Sequence, residues 1–122
     1  MAVEGVPHPA DGAVILAGNF AQALYAADLY HQGLIQRIWV IRPVRERPLT
    51  QLDALGVAYP RQEEVNRAVL LKKGVPADQI EIIGDGTVST MAEAKLVVEL
   101  QKTRPEVRSL LIVTTRIYAR RA

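Results

Sequence analysis

The chain has 122 residues, 49% of them hydrophobic, and a formal net charge of +2. That length suits one domain with a sizeable core, and the charge is too small to point to nucleic acid. There is no cysteine, hence no disulfide framework and no thiolate metal site; no metal is expected, and no apolar run approaches the roughly 18 residues of a membrane span.

Met1 to Ala10 reads as a short flexible arm, with neither the basic nor the apolar region of a signal peptide. Asp11-Gly12 then leads into Ala13-Val14-Ile15-Leu16-Ala17, and Gly18-Asn19 leads out. Five apolar residues without alternation suit a strand buried on both faces, as in a parallel sheet. Helical spacing follows from Phe20 to Gln32. Asn19 and Gln22 form a variant capping box, and Gly33 stands at the C′ position. A second strand spans Arg37 to Ile41. Pro43 to Pro60 is long for a strand–helix connection, carries one helical turn near Thr50 to Leu55, and is expected to lie over the strand ends as a mobile lid. Arg61 to Lys73 is a second helix and Ile80 to Ile83 a third strand. Gly84 to Ser89 reads as a glycine-bearing loop. Thr90 with Glu93 forms a capping box for a third helix reaching Lys102, and Leu110 to Thr114 is a fourth strand.

The order β-α-β-α-β-α-β with short links predicts an α/β, three-layer, Rossmann-like domain over residues 11–122. Its parallel sheet has about four strands in the order 3-2-1-4. The order reverses between strands 1 and 4, and ligands bind at such a switch point, outside the carboxyl ends. Topology alone therefore brings Gly18, Asn19, Arg42, Gly84 to Thr87, Thr114, Thr115 and Arg116 to one crevice. Helix starts near Asn19 and Thr90 aim free N–H groups at it, and arginines follow strands 2 and 4, so a small anionic ligand is the natural occupant.

Four stretches resemble the SanA/YdcF/ElyC family of bacterial envelope-related proteins. Leu111-Ile112-Val113-Thr114-Thr115-Arg116-Ile117-Tyr118-Ala119-Arg120-Arg121-Ala122 is similar to its strand-then-loop signature. Leu29-Tyr30-His31-Gln32-Gly33 matches its Leu-Tyr-x-x-Gly, and Gly74-Val75-Pro76 with Ile80 its Gly-Val-Pro-x-x-x-Ile. Thr87, Thr90 and Ala94 fall on its Ser-x-x-Thr-x-Glu-Asn-Ala. The resemblance implies that Thr90, Thr114 and Arg121 are retained site groups, that Thr87 and Thr115 are similar ones, and that Glu63 stands near the acidic residue opening the second helix. The family histidine falls on Tyr118, a poor general base near neutrality. Family members continue for some tens of residues past Arg-Ala, so the resemblance also implies a missing C-terminal segment.

The resulting ligand set is Gly18, Asn19, Glu63, Thr87, Thr90, Thr114, Thr115, Arg116 and Arg121, binding a phosphate- or nucleotide-like anion, with no catalytic residue assigned. By resemblance the setting is envelope biogenesis and S-adenosylmethionine is a candidate cofactor. The alternatives are an enzyme acting on an envelope precursor and an inactive remnant of one. Some relatives carry an N-terminal membrane anchor and others do not; a cytoplasmic location is slightly favoured. Monomer and homodimer both stay open.

Overall fold

The computed structural model describes residues 2–4, 9–18, 20–113 and 117–121; for 2–4, 90 and 117–121 it describes the backbone alone. The elements are β1 (Ala2–Glu4), β2 (Gly12–Ile15), α1 (Ala21–His31), β3 (Arg37–Pro43), α2 (Arg47–Ala54), α3 (Gln62–Lys72), β4 (Ile80–Thr87), α4 (Thr90–Thr103), β5 (Ser109–Val113) and β6 (Ile117–Arg121).

The sheet order is β1-β6-β5-β2-β3-β4. Its core, β4-β3-β2-β5, is four parallel strands in the expected order, with Val14 of β2 level with Trp39 of β3 and Ile112 of β5. Alternate side chains of these strands point to opposite faces and make two cores. Ala13, Ile15, Ile38, Val40, Leu111 and Val113 meet α1 and α3 on one face. Val14, Trp39, Ile41 and Leu110 meet Val97 and Leu100 of α4 on the other. Three alanines of α1, Ala23, Ala26 and Ala27, are completely buried, so small side chains let that helix lie close to the sheet. Helices on both faces complete the three-layer, Rossmann-like arrangement.

Several expectations change. The sheet has six strands, because β6 turns back antiparallel along β5 and β1 pairs antiparallel with β6. Residues 2–4, assigned above to a flexible arm, are this short edge strand. Backbone pairing against an otherwise open edge needs no apolar pattern, so nothing in Ala-Val-Glu announces it. The loop expected from Gly84 is instead the second half of β4. Gly84 and Gly86 take φ of 90° and 84°, and pairing with β3 resumes at Pro43–Thr87 after a register shift. Glycine tolerates that backbone where other residues strain.

Helix caps also differ. The N-cap of α4 is Ser89, extended at φ −155° and ψ 163°, with its side chain accepting from the Ala92 N–H. Thr90 is therefore the first helical residue, and Glu93 stands too far along to reach back as a capping-box partner. The N-cap position of α1 is Phe20, which makes no side-chain cap bond; Asn19 lies outside the described residues. No helix among the described residues is long and apolar enough to cross a membrane.

Candidate functional site

Four polar or charged side chains are buried among the described residues: Gln22, Glu63, Asn66 and Glu93. Burying such groups is costly unless they are paired, and their number in a small domain is normally low. Here they gather at the carboxyl ends of the parallel strands. Glu63, Asn66 and Glu93 line one cavity of about 800 Å³, within the usual size of a small-molecule site. Gln22 stands behind it, so close to Gly18 that a side chain there would collide with its amide.

The cavity lies over β2, β3 and β4. Ala17 and Gly18 close it after β2, Pro43 to Glu46 after β3, and Thr87 to Ser89 after β4. The connection 43–60 forms its outer wall through Leu49, Tyr59 and Pro60, as the expected lid position requires. It contains the two-turn helix α2, with proline in the first turn, where a missing N–H costs nothing.

Arg45 fastens this wall. Its Nε and Nη2 donate to the two carboxylate oxygens of Asp53 at 2.7 and 3.0 Å, and Nη2 also donates to the Tyr59 carbonyl at 2.7 Å. The hydrogen bond with Asp53 raises the Arg45 pKa and holds the Asp53 carboxyl below its ordinary value. The floor is held by α3, whose buried residues Glu63, Asn66 and Leu70 follow i, i+3, i+7 spacing along one stripe. Arg42 donates from Nε to Glu63 Oε2 at 3.1 Å, with the carboxylate side chain 4% exposed.

The first strand–helix turn is already occupied by the protein's own acceptors. Glu93 Oε2 accepts from the Ala17 N–H at 2.7 Å, and Gln62 Oε1 accepts from the Gly18 N–H at 2.9 Å. Four helix starts nevertheless reach the cavity, because Phe20, Glu46, Gln62 and Ser89 all line it, and each start brings the positive end of a helix dipole. Arg61, exposed at the N-cap of α3, lines the rim, and no side-chain hydrogen bond or ion pair engages it among the described residues.

Of the residues singled out from the sequence, Gly18, Glu63 and Thr87 line the cavity. The backbone of Thr90 opens α4 beside lining residues Ser89 and Glu93. Asn19, Thr114, Thr115 and Arg116 lie outside the described residues. Arg121 is not brought to this end. Its backbone pairs with Ser109, the first residue of β5, because β6 runs antiparallel, and the four-residue rise of β5 sets it about 13 Å back toward the amino end. Sequence reasoning missed Asn66, Gln62 and Arg61, and took Arg45 only as one of the arginines that follow the second strand. For Asn66 there was a signal: a polar residue on the stripe shared by Glu63 and Leu70.

Among the described residues no cluster of three or more His, Asp or Glu side chains could hold a metal ion. No family model, no curated protein and no solved structure matches the chain.

Proposed function

We propose that the domain binds a small molecule bearing a phosphate-like anionic group in the cavity at the carboxyl ends of β2, β3 and β4. The observation that carries this reading is the gathering of the buried polar side chains at that cavity: Glu63 and Glu93 are bonded within the fold, but Gln22 Oε1 and Asn66 Oδ1 have no partner, and unpaired buried polar groups are costly and cluster at functional sites. Four helix starts supply the attraction for an anion, with Arg61, whose side chain makes no hydrogen bond or ion pair among the described residues although it lies in the field of Asp53. The resemblance to SanA/YdcF/ElyC proteins adds bacterial envelope biogenesis as the setting and S-adenosylmethionine as a ligand to include in any screen.

A thermal-shift and calorimetric screen with inorganic phosphate, nucleoside monophosphates and S-adenosylmethionine tests it. A ligand at 100 times its dissociation constant adds about 2.7 kcal/mol of stability. Arg61→Ala is expected to weaken phosphate-bearing ligands about ten-fold, the scale of one charged hydrogen bond. Equal affinities for both proteins would take Arg61 out of the site, and no stabilisation by any probe would end the reading. A second reading is favoured by Glu63 and Glu93 lining the same cavity: an enzyme in which one carboxylate accepts a proton from the bound molecule. Turnover of phosphate esters that is abolished by Glu93→Gln, with binding retained, would select it.

A further inference from the structure

Aromatic residues are only 5% of this chain, so where they stand in water is informative. Among the described residues Trp39 is buried, and Tyr25 and Tyr30 pack partly buried against the core. The two that are exposed, Phe20 at 55% and Tyr59 at 54%, both line the cavity. Val44 and Val88, exposed as well, line it with them. Apolar side chains that gather in water at a concave site mark a surface that something covers. Phe20 comes from the turn between β2 and α1, and Tyr59 from the outer wall. The Tyr59 carbonyl accepts from Arg45 Nη2 at 2.7 Å, which fixes the backbone that carries this ring.

Building on the anion-site reading above, we infer that the ligand is a nucleoside phosphate, with its base packed on the aromatic residues of the mouth, Phe20 and Tyr59, and its phosphate at the helix starts. A cavity of about 800 Å³ has room for far more than a bare oxyanion. The rest of the ligand must suit a mixed lining. Thr87, Ser89 and Gln62 stand among the apolar residues, and Gln62, whose Oε1 accepts from the Gly18 N–H, makes no hydrogen bond through its amide nitrogen among the described residues. An alkyl chain would cover the rings and strand the polar groups. A bare sugar would do the reverse. A nucleobase has flat apolar faces for the rings and a polar edge for the hydroxyl and amide groups.

Calorimetry on the full chain with AMP, ribose 5-phosphate, adenosine and hexyl phosphate separates the possibilities. Stacking on an aromatic ring accepts any base, so AMP serves as the probe, and it is expected to bind about ten-fold or more tightly than ribose 5-phosphate. Phe20→Leu combined with Tyr59→Leu keeps apolar side chains and removes both rings. It should bring AMP to within about three-fold of ribose 5-phosphate and leave the sugar phosphate itself within about two-fold. Equal binding of AMP and ribose 5-phosphate by the wild type would overturn the base inference and leave the anion site standing. Hexyl phosphate binding as tightly as AMP would overturn it in favour of an alkyl chain. Adenosine binding as tightly as AMP would remove the phosphate from both readings. An AMP preference that survives in the double variant would overturn the role of the rings, and binding of no probe would overturn both readings. The wild-type comparison stands without the variant, so a failure of the variant to fold does not remove the test.

Discussion

At the amino end of β2, polar groups close on one another. Asp11 Oδ2 accepts from the backbone N–H groups of Arg108 and Ser109 at 2.6 and 3.1 Å, and the Asp11 N–H is bonded to Ser109. Gly12 lies against the Trp39 ring and the Arg37 carbonyl with no room for a side chain. At the carboxyl end of the same strand, four buried polar side chains surround or back a cavity, and two of them, Gln22 and Asn66, keep an acceptor atom without a partner. One strand thus joins an end whose polar groups bond to one another to an end where buried acceptors have no partner. Both ends contain a carboxylate bonded to backbone N–H; at the carboxyl end Gln22 Oε1 and Asn66 Oδ1 have no partner besides.

This contrast can be broken in four ways. Gly12→Ala attacks the closed end. A Cβ there would sit 2.8 Å from the Arg37 carbonyl oxygen and closer still to Trp39, so a loss of about 3 kcal/mol is expected in urea denaturation, the upper part of the overpacking range. A loss below about 1 kcal/mol would show that this end is less tightly packed than its geometry implies.

Arg42→Ala comes next. It leaves the buried Glu63 carboxylate without its cation, at an expected cost of about 2 kcal/mol. Glu63→Gln in the same chain should recover part of that cost, and a double-mutant cycle showing no coupling would mean the pair is idle.

Asn66→Leu should move the other way, raising stability by about 1 kcal/mol, because it removes a buried acceptor that nothing satisfies. A net loss would make Asn66 a structural residue and erase the distinction between the two ends.

The smallest effect is local. The pKa of Asp53 is depressed by Arg45, so their pairing supports the outer wall at pH above the ordinary carboxyl value of 3.8. That support is lost as pH falls through the lower folded value. Amide chemical shifts in α2 should change in that acidic window before those of β2 and β3 do. A wall and sheet that respond together would show that 43–60 is no separate unit.

The parallel sheet was legible because its strands carry unbroken apolar runs between glycine and proline punctuation, and strand order follows from connection lengths. Strand β6 was not, since Ile117 to Arg121 sits in a stretch rich in arginine, and β1 offers three residues of ordinary composition. The Thr90 cap was misread because Ser89 and Thr90 are both good caps. The backbone decides between them, and with Ser89 extended the helix begins one residue earlier than the capping box suggests. Of the residues that line the cavity, Gly18, Glu63 and Thr87 were named through topology and resemblance. Asn66 and Gln62 were not, because their roles depend on how α3 is rotated against the sheet, which no local pattern states. Arg121 was misplaced for a related reason: a residue just past a parallel strand is expected at its carboxyl end, and an antiparallel return carries it away.

The order of strands has a further consequence for how copies of this chain behave beside one another. A sheet can recruit foreign strands only along its outermost members. On one side that member is β1, three residues long, too short to template a stable pairing. On the other it is β4, eight residues long, where Gly84 and Gly86 bend the backbone out of register and Glu81 carries a charge paired with Arg104. Among the described residues both margins are therefore poor surfaces for edge-to-edge growth of the kind that builds fibrils.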